Sequence, residues 1–263
     1  MVTREPAPVR TVAVTQSDPF FTGRFFETFL DAAPSAGVEL VEIVLLRNFN
    51  ESRRALARRL AGFYPTDDLM RLLWRYGRSR WDEFRGVPRS VEAVAGRHGV
   101  PVRALATIND PGYLRTLGER GVDVLLSVAA PEIFRPATLR AVPKVLNVHN
   151  GRLPDYRGMM PTFWALSEGE DEVQVTVHEM AERLDAGPVV AEFPVPVRPC
   201  DSAFDVSRNA KAVAGRELAA LLGRLRDGSW PEPRPIDVSR GTYRGFPGRA
   251  DARRLRAAGR RML

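Results

Sequence analysis

"KVLNVHNGRLPDYRG", residues 144–158, is the stretch on which the reading of this chain turns. Val145 and Leu146 belong to a short apolar strand, yet Asn147, His149 and Asn150 follow before the chain bends at Gly151 through Leu-Pro-Asp-Tyr-Arg-Gly. A buried strand has little use for that polarity, whereas a strand delivering side chains to a reaction site needs it. Alternation with period two puts Asn147 and His149 on one side and Val148 on the other. Asn-x-His by itself is as compatible with a structural cap as with catalysis.

Outward from this motif, short apolar runs alternate with amphipathic stretches, the pattern of an α/β fold with a parallel sheet. "TVAVT" (11–15), "VELVEIVLL" (38–46), "VRALAT" (102–107), "VDVLLSVA" (122–129) and "KVLNV" (144–148) read as strands. "VQVTVHEM" (173–180) and "PVVAEFPVPV" (188–197) follow as two more. Helices are expected over Phe20–Ala33, Tyr113–Arg120, the "PTFWALSEG" segment and residues 203–226. A longer helical tract, interrupted by Pro65, runs from Glu51 to Arg85. In open sheets of this kind ligands bind beyond the carboxyl ends of the strands, where the Asn147 motif stands.

The 263 residues suffice for one large domain, or one with a small appendage. We divide the chain into a catalytic domain over 1–198 and a C-terminal helical extension with a basic tail over 199–263. No apolar run approaches the ~20 residues that span a bilayer, and Met1–Pro8 lacks an apolar signal core, so a cytoplasmic location is expected. The single cysteine, Cys200, excludes an internal disulfide and a cysteine-based zinc cluster, and no metal site is expected. Of the net charge of +7, residues 249–263 contribute +5, leaving +2 for the rest. A basic character confined to a tail, with no interleaved aromatic residues, argues against a nucleic-acid partner. The tail arginines are expected to be spectators that can be deleted. Oligomeric state stays open, with a homodimer among the options.

A second polar insertion, "VHEMAERLDAGPVVAE", carries a strand through His178 into a loop ending at Asp185, Gly187 and Pro188. Asp185 reads either as a site residue or as an ordinary turn residue beside glycine. Together the two motifs resemble the 10-formyltetrahydrofolate-dependent formyltransferase family, which carries Asn-x-His, a Leu-Pro-x-x-x-Gly turn, Val-Thr-x-His and a later Asp-x-Gly. The 36 residues between His149 and Asp185 match its spacing. The resemblance spans roughly residues 10–195 and implies a Rossmann-like, mostly parallel sheet flanked by helices.

It also implies an N-formyltransferase that moves a formyl group from 10-formyltetrahydrofolate to an amine through a tetrahedral oxyanion. Asn147 and His149 would stabilise that oxyanion or protonate the leaving nitrogen, with Asp185 holding His149 or a water. Contacts to the folate would come from Pro131, Glu132, Ile133 and Phe134 and from Met180, Ala181, Glu182 and Asp185. For Ile133 and Phe134 plain core packing remains an alternative. His178 would shape the folate loop, and His98 reads as inert. The first loop, "TQSDPFFTGR", lacks the Gly-rich phosphate cradle of glycinamide ribonucleotide formyltransferases. It also lacks the Gly-Thr-Pro opening of methionyl-tRNA formyltransferases, and "ERLDAGPVVAE" is closest in wording to sugar N-formyltransferases. The implied acceptor is therefore a small-molecule amine, such as an amino sugar nucleotide. A methionyl-tRNA formyltransferase-like enzyme and a 10-formyltetrahydrofolate hydrolase are the alternatives. The tract 51–85 either lids the acceptor site or packs as a helical hairpin.

Overall fold

The structure, a computed structural model, describes residues 6–46 and 53–263; the first five residues and the start of the tract at Glu51 lie outside them. Five strands run parallel: β1 (Val9–Gln16), β2 (Val38–Leu46), β3 (Val102–Leu105), β4 (Val124–Val128) and β5 (Lys144–His149). They continue into an antiparallel pair, β7 (Glu172–Glu179) and β8 (Val189–Pro196). The order across the sheet is β3-β2-β1-β4-β5-β7-β8. The chain therefore winds outward from β1 in one direction, then returns to β4 on its other side. That reversal opens a crevice beyond the ends of β1 and β4. The mostly parallel α/β sheet flanked by helices is the fold expected from the sequence.

Alternation along the strands sorts the core into two layers. Ala13, Val124, Leu126, Leu146 and Val148 pack in one cluster, while Val12, Val14, Leu125 and Val145 pack in the other. The first layer is covered by α1 (Thr22–Ala32) and α8 (Ala203–Arg226). The second is covered by α5 (Pro111–Glu119) through Tyr113, Leu114 and Leu117. α1 and α8 approach closely because Gly215 has no side chain: a Cβ there would stand 2.3 Å from the Phe25 carbonyl oxygen. Shorter helices fill the connections, α4 (Val91–Arg97), α6 (Pro136–Leu139) and α7 (Pro161–Ser167). The tract from 53 onward folds as α2 (Arg53–Phe63) and α3 (Thr66–Phe84), broken at Pro65 as expected.

Residues beyond 198 share the main core. Ala210, Ala214, Leu218 and Leu222 of α8 are fully buried in it, joined by Ala252 and Leu255 of α9 (Arg249–Ala257) and by Met262 and Leu263. The tail is less solvated than its charge suggests. Arg256 pairs with Asp67 and Asp68, Arg249 donates to the Ala61 carbonyl, and Arg260 donates to the Glu170 carbonyl. Charge density hides this, because two apolar residues spaced three apart suffice to bury a short helix. Two short strands, β6 (Tyr156–Gly158) and β9 (Thr242–Arg244), pair to tie the later chain to the turn after β5.

Candidate active site

Asn147 and His149 end β5 at the centre of the sheet, and antiparallel pairing sets His178 of β7 directly opposite Asn147. The Asn147 side-chain amide lies 3.0 Å from His178 Nε2. His178 Nδ1 donates to the Glu179 carbonyl at 2.9 Å, which fixes Nε2 as the acceptor for one Asn147 N–H. Burial, and next the neighbouring His149, push the His178 imidazole down to about 4, against the opposing pull of the Glu179 carbonyl and Asp185. It is neutral at neutral pH. One amide hydrogen of Asn147 is thereby spent on orientation and the other is free to point elsewhere.

His149 is held from the other side. Its Nε2 donates to the Tyr156 carbonyl at 2.6 Å, a bond made possible because the turn 150–156 folds back over the strand end. Thr162 and Thr176 pin that turn through the carbonyls of Asn150 and Gly151, and its Leu153–Pro154 peptide is cis. Nδ1 of His149 then faces Asp185, with its Oδ1 3.8 Å away; the same oxygen stands 3.9 Å from His178 Nε2. The second Asp185 oxygen accepts from the Gly158 backbone N–H at 2.8 Å. Gly158 is required there: its φ is +95°, and a Cβ would lie 2.2 Å from the Arg244 carbonyl oxygen on β9.

These groups open into a cavity of about 530 Å³ beyond the ends of β1, β4 and β5. Its walls are aromatic, with Phe21, Phe63, Phe163, Phe204 and Phe246, and its polar groups include Gln16, Asp18, Thr162, Ser207 and Lys211. Lys211 is buried on the inner face of α8, and burial lowers its ammonium to about 8, with Asp18 opposing the shift. Among the described residues the non-glycines with positive φ are Ala129 (53°), Met160 (51°) and Asp185 (49°), and all three line this cavity. Such conformations cost of order 1–3 kcal/mol each and persist where the surroundings enforce them, typically at sites.

The structure thus brings Asn147, His149 and Asp185 together. The other residues expected around a folate lie on two loops outside the cavity lining. Glu132 spends its carboxylate on Thr107, the Ile108 N–H and Asn109, so its side chain is a structural clamp. Phe134 is buried in the second core layer and Met180 packs against it. Ile133, by contrast, is 57% exposed, and Ala181 and Glu182 are exposed on the opposite loop. Two contributions escaped the sequence reading. The link from His178 to Asn147 depends on strand register across a hairpin and had no sequence signal. Lys211 did have one: it falls on the Phe204-Ser207-Ala214-Leu218 stripe of α8, the face that helical spacing sends inward.

A doubly wound sheet thus brings an amide, an imidazole and a carboxylate together at its carboxyl edge. Residues 87–222 match the family described as "Formyl transferase". The chain belongs to the formyl transferase family. Its fold is similar to glycinamide ribonucleotide transformylase 1 from Symbiobacterium toebii, with 18% identity and a TM-score of 0.58 over 88% of this chain and 95% of that one. It is also similar to a sugar N-formyltransferase from Shewanella sp FDAARGOS_354 (15%, TM-score 0.55, 90% of this chain and 76% of that one). A 4-N formyltransferase from Francisella tularensis gives 15% identity and a TM-score of 0.53 over the same shares. Among the described residues no helix is long and apolar enough to cross a membrane.

Proposed function

We propose that this protein transfers a formyl group from 10-formyltetrahydrofolate to the amine of a small molecule held in the aromatic cavity. The observation that carries the reading is the convergence of Asn147, His149 and Asp185 at the mouth of a cavity of about 530 Å³, a size suited to a small ligand. The donor supplies an activated one-carbon acyl group. Loops 131–134 and 180–185 suit it because each leaves a large apolar side chain uncovered, Ile133 on one and Leu184 (43% exposed) on the other. Glu132, its carboxylate already committed, would contribute only through its backbone.

As an amine attacks, negative charge grows on the carbonyl oxygen. The Asn147 amide, held by His178, donates its second N–H toward that charge, and a pre-oriented donor of this kind typically contributes ~2.7–4 kcal/mol. His149, with its Nε2–H committed to the Tyr156 carbonyl, carries a proton on Nδ1 only as the imidazolium, and in that form presents it either to the same oxygen or to the departing nitrogen. Asp185 holds that proton's position and accepts, directly or through water, the proton lost by the amine.

The first loop favours an acceptor other than a phosphoribosyl amine. Asp18 already accepts from the N–H groups of Phe20, Phe21 and Thr22, so its carboxylate fills the anion position at the start of α1. The tail favours a small molecule over tRNA, since Arg249, Arg256 and Arg260 are engaged within the chain. The test is mass spectrometry of candidate amines, amino sugar nucleotides first, incubated with 10-formyltetrahydrofolate. A gain of one formyl group on an amine supports the reading. Formate release without any formylated amine would establish the hydrolase instead.

A further inference from the structure

α3 presents an apolar stripe to solvent. Met70, Leu73, Trp74, Trp81 and Phe84 are 63%, 56%, 64%, 59% and 82% exposed, and with Gly77 they fall on one helical face. The stripe is not a consequence of poor folding of the helix, because the opposite face is well anchored. Ser79 donates to the Pro19 carbonyl, Tyr76 meets Phe20 edge-on, and Arg75 lies over Phe204 while pairing with Asp205. At ~150–250 Å² for a whole aromatic side chain, the stripe exposes roughly 700 Å². Monomers rarely leave more than a few hundred Å² of contiguous apolar surface uncovered, and a standard interface takes ~800 Å² per partner.

Three features specify the occupant. The stripe is nearly symmetric about Gly77: Leu73 and Trp81 lie four residues either side, Met70 and Phe84 seven. An antiparallel copy therefore sets Leu73 against Trp81 of the second copy and Met70 against its Phe84, with Trp74 one position from that Trp81. Gly77, at the centre, faces open space and allows close approach at a twofold axis. The helix carries four acidic and four basic side chains, so two copies do not repel despite the chain's net +7. A phosphate backbone or an anionic bilayer would instead call for an excess of positive charge. The helix also lies before residue 87, outside the segment that matches the formyl transferase family.

We propose that this face is a homodimer interface, occupied by α3 of a second copy in antiparallel register about Gly77. The inference is independent of the proposed reaction. Sedimentation of the full chain at micromolar concentration should give twice the mass of the chain. Trp81→Glu combined with Phe84→Glu should weaken association on the order of 100-fold or more with unchanged far-UV circular dichroism. Facing helices ~8–10 Å apart with a ~2.3 Å Cα radius bring opposed Cα atoms within disulfide range. Gly77→Cys, placed on a Cys200→Ser background because Cys200 is exposed, should therefore cross-link on mild oxidation. This second variant decides the matter if the glutamates disturb folding. A chain monomeric at every concentration overturns the proposal, whether or not it binds phosphatidylglycerol vesicles or another protein. So does a dimer indifferent to both glutamates. A dimer that the glutamates dissociate but that does not cross-link at position 77 overturns the antiparallel register.

Discussion

Asn147 and His149 both line the cavity, and substitution tests the part proposed for each. On the proposed reading, Asn147→Ala or His149→Ala removes a group that faces the reaction, so turnover should fall ~10²–10³-fold while the chain stays folded. Near-native turnover of both purified variants would defeat the assignment. Asp185→Asn is a sharper probe because asparagine tolerates a φ of +49° and keeps an acceptor for the Gly158 N–H. The charge beside His149 is lost and an NH2 replaces the oxygen that faces both imidazoles, so rate should drop severely with stability unchanged to within ~1 kcal/mol. His178 acts through Asn147. His178→Phe should lower kcat and leave the acceptor KM nearly unmoved, with partial rescue by His178→Gln, whose carbonyl can accept from the amide.

The same histidine gives a pH signature. Its folded value is pushed down to about 4 from an unfolded value near 6.5 by burial and by His149. Between these values the unfolded chain holds a proton that the folded chain does not. Stability therefore rises with pH across that window, and is lost as pH falls from about 6.5 through about 4. Urea midpoints measured across the window should show this slope, and His178→Phe should flatten it.

At the scale of elements, α8 is the member to perturb, since it packs on α1 and supplies Phe204, Ser207 and Lys211 to the cavity wall. Its first turn is closed by a reciprocal cap: Ser202 Oγ accepts from the Asp205 N–H, and the Asp205 carboxylate accepts from the Ser202 N–H. Ser202→Ala should cost ~1 kcal/mol, up to ~2 given its full burial. Chemical denaturation measures this directly, and a change below a few tenths of a kcal/mol would mean that neighbouring packing, not the cap, starts the helix.

For the whole molecule, the segment 249–263 is part of the core. Its removal strips out Leu255, Met262 and Leu263, each buried, at ~1.5–3 kcal/mol apiece. That is a large share of the ~5–15 kcal/mol that holds a typical domain. Truncation after 248 should therefore lower Tm sharply or abolish cooperative unfolding, and Met262 would vanish from the cavity wall. A truncated chain with native Tm and activity would return the tail to the role of a spectator.

The sequence by itself determined the layers and the motif positions. Alternating apolar strands and amphipathic helices can bury their faces only as a helix-flanked sheet, and the polar break after Leu146 marks the strand end where ligands gather. The polar break after Leu146 marked Asn147 and His149, but the residues alone left Asp185 between a site residue and a turn residue, and only the resemblance to the formyltransferase family joined the three. The rest depended on tertiary structure. That His178 faces Asn147 follows from the register of an antiparallel pair, which no local pattern encodes. That Asp18 closes the N-terminus of α1, that Lys211 ends buried in the cavity wall, and that an arginine-rich tail packs into the core are all matters of long-range contact. Charge and spacing report what a segment can do in water; only packing decides which of its faces water still reaches.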